Sequence, residues 1–194
     1  MNIIIEDNFF DDPDKIRQIG LSQEYKVRNR INTKTKGWEG YRARIYKECV
    51  DQRLIADDEE TIKDSAYKGF IESCRNYTLK AFNDTSDVIR FDVYFNVTNE
   101  NTGSMIKDWI HVKHHTDIGV DYAGLVYLTP NAPKKSGTSI VDFVNEKIIH
   151  VENVYNRLIC YPAYYTHGVD SCFGNDIETG RMTLTFFIQT SLEI

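Results

Sequence analysis

Nowhere in its 194 residues does the chain hold an apolar run near the ~20 residues that a membrane-spanning helix needs. The opening MNIIIEDNFFDDPDK lacks the basic stretch and long apolar segment of a signal peptide. Cys49, Cys74, Cys160 and Cys172 form no C-x-x-C pair, so neither a zinc knuckle nor a disulfide framework is indicated. They read as reduced thiols, and a cytoplasmic protein with no membrane partner is expected. Internal repeats and low-complexity tracts are absent too, which argues against solenoids and disordered tails. A net charge of −6 speaks against general nucleic-acid binding.

What is present suits one globular domain over 1–194, long enough to bury a substantial core. Twelve Tyr and ten Phe favour a β-rich interior. The acidic balance hides an asymmetry. KVRNRINTKTKGWEGYRARIYK, residues 26–47, carries eight Lys or Arg against one Glu, with Trp38, Tyr41 and Tyr46 interleaved. Such a segment is either a solvated connection or a surface for an acidic partner.

Two helices are expected first. DDPDKIRQIGLSQEY has Asp12 as N-cap, Pro13 at the first helical position, and Ile16 and Ile19 on its apolar side. DDEETIKDSAYKGFIESCRNYTLKAF opens with acidic residues and repeats Ile62, Ala66, Phe70, Cys74 and Tyr77 at spacings of three to four. NIIIEDNFF, before both, reads as a short strand. Beyond them, DVIRFDVYFNVTN alternates Ile89, Phe91, Val93, Phe95 and Val97 with polar neighbours, the pattern of a half-buried strand. DWIHVKH, YAGLVYLT, SGTSIVDF, EKIIHVEN, NRLICYP and RMTLTFFIQT follow as further strands, separated by turn chemistry such as TPNAPKKSG. Short strands after two helices predict a mainly β, α+β fold: a sandwich or barrel with helices on one side. Residues 1–87 would form a supporting region and 88–194 the core.

Three of the five histidines crowd into HVKHHTD, residues 111–117. On a strand, His115 and Asp117 share a face, because side chains alternate with period two. His150-x-Glu152 is a rival pair. Two His and one carboxylate make the facial triad of non-haem iron sites, with positions left open for substrates. His167 lies fifty residues beyond Asp117, room for several strands to cross and return, but only fifteen beyond Glu152. The first pair is therefore the better candidate, and His150 reads as a surface residue. His111 and Trp109 are at most substrate-facing. Fourteen residues past His167, Arg181 and Thr183 point the same way from the apolar strand RMTLTFFI. A buried Arg wants an anion, and its planar fork suits a carboxylate such as the distant one of 2-oxoglutarate.

This ordered set resembles the Fe(II)/2-oxoglutarate dioxygenase superfamily, closest to its prolyl 4-hydroxylase-like branch of small phage and bacterial members. GLVYLTP, SGTSIV and RLICYPAYYTHGVDSCFG are similar to that branch's strand after H-x-D, its glycine-rich turn and its last-histidine segment. The likeness runs over roughly 88–190, and departs where the branch has two glycines at SGTS and a shorter spacing to the Arg. It implies a double-stranded β-helix, or jelly roll, with the N-terminal helices packed on one sheet. It implies Fe(II) on His115, Asp117 and His167, with 2-oxoglutarate and O2 as cosubstrates. Arg181 would grip the far oxoglutarate carboxylate, helped by Tyr127 and Thr183. The activity implied is hydroxylation of a protein or peptide side chain. A free amino acid, nucleotide or other metabolite stays open as the substrate, as does a non-catalytic jelly roll that only holds metal.

Overall fold

The computed structural model describes residues 1–28, 40–50, 67–104, 114–143 and 145–191. Helix α1 (Pro13–Leu21) begins where the sequence predicts: the Asp12 carboxylate accepts the Lys15 N–H at 3.1 Å, and Pro13 has no N–H to leave unpaired. Helix α2 (Lys68–Phe82) stops at Asn83, whose φ of 54° is left-handed. Its buried stripe is Ile71, Cys74 and Thr78, with Phe70 and Tyr77 half-buried on the flanks. The expected first turns of this helix, with Ile62 and Ala66, lie outside the described residues.

Among the described residues, ten strands follow in chain order: β1 (Ile4–Glu6), β2 (Lys26–Arg28), β3 (Gly40–Cys49), β4 (Val88–Thr98), β5 (Tyr122–Tyr127), β6 (Thr138–Asp142), β7 (Lys147–Val151), β8 (Leu158–Pro162), β9 (Thr166–Val169) and β10 (Arg181–Thr190). A short helix, α3 (Glu100–Ser104), follows β4. Seven strands form one sheet in the order β1-β8-β5-β10-β4-β3-β2, and three form a second, β7-β6-β9. Every pairing is antiparallel. Two facing sheets with helices outside the larger one make the jelly roll.

Two apolar clusters hold the layers together. The first joins Ile16 of α1 and Ile71 and Cys74 of α2 to Phe91, Val93, Phe95, Leu184 and Phe186 on the outer face of the large sheet. Here α1 comes so close that a Cβ on Gly20 would stand 2.8 Å from the Met182 sulfur. The second, with Leu125, Tyr127, Ile140, Ile159 and Tyr161, lies between the sheets. β5 serves both clusters, which is why it reads as an unbroken apolar run.

Three details differ from the sequence reading. β4 is buried on both faces from Phe91 to Thr98, because its polar side faces the space between the sheets rather than bulk water. The basic tract does not simply connect: Ala43 and Ile45 are buried, and β3 pairs along β4 from Tyr41↔Val97 to Cys49↔Arg90, with a bulge between Arg44 and Tyr46. Finally, His115 is in no regular strand; it makes one bridge, to His167. Trp109, His111 and most of DWIHVKH lie outside the described residues.

Candidate active site

The His115–His167 bridge is closed by both backbone hydrogen bonds, each 2.9 Å. The Asp117 N–H donates to the Ala163 carbonyl at 3.0 Å. These bonds tie the H-x-D segment to the turn that leads into β9, so residues fifty apart in sequence share one point. One ligand atom each from His115, Asp117 and His167 lie within 4.8 Å of one another.

The chemistry of this trio is unbalanced without a cation. His167 Nδ1 lies 2.9 Å from the Tyr165 carbonyl, which can only accept, so the ring proton sits on Nδ1. Nε2 then presents a lone pair to Asp117 Oδ2, 3.3 Å away. That oxygen is buried and has no hydrogen-bond partner among the described residues. His115 Nε2 stands 3.6 Å from Asp117 Oδ1. Protonating His167 is disfavoured: burial, and then the neighbouring His115, lower its pKa to about 3. Burial also raises the Asp117 carboxyl, against the attraction of His115 and Arg42. Two imidazole nitrogens and a carboxylate facing one point suit a divalent metal of the iron or zinc type.

The trio opens on a cavity of about 520 Å³ between the sheets, floored by alternate residues of β4 and β10. Arg181 lies in its wall, only 2% exposed. Its Nε donates to the Ser136 carbonyl at 2.8 Å, and Nη2 to the Gly137 carbonyl at 3.3 Å and Thr138 Oγ1 at 3.1 Å. No carboxylate among the described residues pairs with it. A buried guanidinium without a counter-charge is costly, so this one calls for an anionic ligand.

Thr183 lies beside it in the lining, its hydroxyl 3.1 Å from that of Thr185. Tyr127 stands behind the wall, fully buried; its hydroxyl donates to Thr138 Oγ1 at 2.7 Å, and the Arg181 guanidinium carbon lies 5.3 Å from its ring centre. Thr138 thus accepts from both and keeps its own proton free for the cavity. Sequence reasoning did not single out Thr138, nor Tyr161, whose ring packs 4.8 Å from that of His167. It also missed Arg42, Arg90, Asp92, Tyr94 and Asn96, all of which border the cavity. For the four on β4 the signal is the polar half of its alternation, which a half-buried strand would turn to solvent; Arg42, on β3, carries no such signal.

His150 sits apart, on the outer side of the small sheet. Its side chain is 66% exposed, and Nδ1 lies 2.8 Å from Ser139 Oγ.

By sequence, no protein-family model matches the chain and no curated protein is significantly similar. By structure, its fold is that of the 2-oxoglutarate/Fe(II) oxygenases. A prolyl-4-hydroxylase from Pseudomonas putida superposes with a TM-score of 0.61 at 11% identity, covering 97% of this chain and 92% of that one. A 2OG-Fe(II) oxygenase-family oxidoreductase from Burkholderia pseudomallei gives 0.62 at 10% identity, covering 96% and 84%. A prolyl hydroxylase from Trichoplax adhaerens, solved with a hypoxia-inducible-factor peptide fragment, gives 0.55 at 13% identity, covering 97% and 83%. Among the described residues no helix is long and apolar enough to cross a membrane.

Proposed function

We propose that the protein is an Fe(II)- and 2-oxoglutarate-dependent dioxygenase that hydroxylates a protein or peptide side chain. One observation carries the reading: a trio of metal donors, His167 buried and His115 and Asp117 half-buried, shares one cavity with a buried Arg181 that no carboxylate among the described residues pairs with. A zinc hydrolase would use the first and have no need of the second.

His115, Asp117 and His167 would hold the metal on one side, which leaves positions open toward the cavity. Fe(II) held there would, with 2-oxoglutarate and O2, supply hydroxylation chemistry: one oxygen atom of O2 would enter a substrate C–H bond and the other the succinate formed, with CO2, from oxoglutarate. The chain's own part is positional. The Tyr165 carbonyl holds the His167 tautomer, so that Nε2 is the donor. Arg181, with Nη1 uncommitted among the described residues, takes the far carboxylate of oxoglutarate. Thr138 and Thr183 can add hydroxyl contacts, and Tyr127 braces the guanidinium from behind. Tyr161 and Leu125 close the wall and keep water from the reacting centre. The fold of a peptide-bound prolyl hydroxylase supports a peptide substrate without requiring one.

The test is anaerobic addition of Fe(II) and 2-oxoglutarate to the purified protein. A weak visible metal-to-ligand charge-transfer band is expected in the wild type, and its loss in His167→Ala. A protein that binds the metal yet shows no band with oxoglutarate would be a metal-holding jelly roll instead.

A further inference from the structure

Among the described residues, two tyrosines are fully buried in the cluster between the sheets, and they differ in what their hydroxyls do. Tyr127 donates to Thr138 Oγ1 at 2.7 Å. Tyr161 of β8 is 2% exposed, yet its hydroxyl makes no hydrogen bond among the described residues. A phenol buried in a core normally finds an acceptor, because leaving the O–H unpaired there is costly. Unlike the sealed orphans Asp92 Oδ1 and Asn153 Oδ1, this oxygen opens on the cavity, which Tyr161 lines.

The strand register places the ring. Tyr161 faces Ala123 of β5, and Ala123 faces Phe187 of β10, so a small side chain stands next to the phenol on the cavity floor. On its other side the ring packs against that of His167, with centres 4.8 Å apart and planes tilted by 54°. The hydroxyl also feels charge from two directions. Burial, and then the Asp117 carboxylate, hold the phenol well above its usual range, while the Arg181 guanidinium pulls the other way. The O–H is therefore a donor, within electrostatic reach of both the metal trio and the anchor.

In the proposed function the group that spans those two points is the cosubstrate. Its far carboxylate has Arg181. Its metal end is a 2-oxo acid, which chelates through the oxo group and one carboxylate oxygen and so leaves the other carboxylate oxygen free. That oxygen carries charge against a largely apolar wall and needs a donor.

We infer that Tyr161 positions the metal end of 2-oxoglutarate, its hydroxyl donating to the carboxylate oxygen that the metal leaves free. This rests on the dioxygenase reading for the identity of the ligand. A cosubstrate held at both ends keeps one orientation on the metal, and reactive geometry depends on such fixing.

The experiment uses the full chain loaded anaerobically with Fe(II), wild type and Tyr161→Phe. Phe keeps the ring against His167 and removes one oxygen. Two acids are titrated: 2-oxoglutarate, and pyruvate, which has the same 2-oxo acid end but no far carboxylate. In the variant both affinities should fall by a common factor of about ten. The charge-transfer band should move to shorter wavelength, because a hydrogen bond to the chelated acid lowers its acceptor orbital. Metal affinity should stay as it is. Unchanged affinities overturn the inference. So does a loss confined to 2-oxoglutarate, which would put the hydroxyl on the far carboxylate. So does a parallel loss of metal affinity, which would make the ring a mere buttress for His167. If wild type binds the metal but gives a band with neither acid, the dioxygenase reading falls and the inference with it. A wild-type band beside an indifferent variant sinks the inference alone. Should the variant not fold, wild type decides by NMR on the Zn(II) form, a redox-inert substitute. Pyruvate should bring out a slowly exchanging tyrosine hydroxyl proton with a nuclear Overhauser effect to the His167 ring. If no such proton emerges at saturating pyruvate, the inference is overturned without any substitution.

Discussion

At the scale of single residues, the site is built from groups that are uncomfortable alone. Arg181 spends Nε and Nη2 on backbone and Thr138 acceptors, so its orientation is set before any ligand arrives. Arg181→Lys keeps the charge but loses the planar fork. Oxoglutarate affinity should fall about tenfold or more, read by titration of the metal-loaded protein, and unchanged affinity would remove the anchor role. His167 makes a pH prediction for the metal-free protein. Its folded-state pKa near 3, against 6.5 when exposed, means that the unfolded chain takes up a proton that the folded chain refuses. The stability is full above about 6.5 and falls as pH drops toward 3, by up to about 1.4 kcal/mol per unit. Asp117, raised above 3.8, works in the opposite direction, so the net slope is smaller. Denaturant midpoints of His167→Gln across that range should be flatter than those of wild type. Identical slopes would show that His167 is not buried in its neutral form.

Among the elements, the β6–β7 hairpin decides how Arg181 is held. The Ser136 and Gly137 carbonyls that accept from the guanidinium lie just ahead of β6, and a Cβ on Gly137 would fall 1.9 Å from the Val151 carbonyl oxygen. Gly137→Ala must push β6 from β7 and carry both carbonyls with it. A loss of about 1–3 kcal/mol is expected in chemical denaturation, together with weaker oxoglutarate binding. A variant with wild-type stability would mean that the hairpin yields without cost. The helices play a different part. α1 and α2 cover the outer face of the large sheet, and their apolar residues reach none of the cavity lining. The half of the chain that supplies them also supplies β3, whose Arg42 does reach it.

For the whole molecule, the two sheets bring the His115–Asp117 segment, His167 of β9 and Arg181 of β10 to one cavity, so the proposed metal and oxoglutarate would bridge what the chain alone leaves apart. Metal and oxoglutarate should therefore stabilise in order. With each at ~100 times its Kd the gain is about 2.7 kcal/mol apiece, seen as a rise in thermal midpoint. The oxoglutarate part should require the metal, and a full shift with oxoglutarate alone would contradict the shared chelate. How much of this the sequence contains differs from feature to feature. The N-cap of α1, the apolar run of β5 and the alternation of β4 are local matters of capping, burial and period two, and each is legible in a few neighbouring residues. So was the grouping of His115, Asp117, His167 and Arg181, which the structure brings to one cavity, because residue types at ordered spacings are readable along the chain. That neither face of β4 meets bulk water, that Arg42 of a basic tract stands beside Asn96, that Thr138 accepts from both Tyr127 and Arg181, and that His115 bridges His167 outside any regular strand were decided only by the closing of the sheets. Those facts depend on contacts between segments tens of residues apart, and a side chain's neighbours across a sheet leave no trace in its neighbours along the chain.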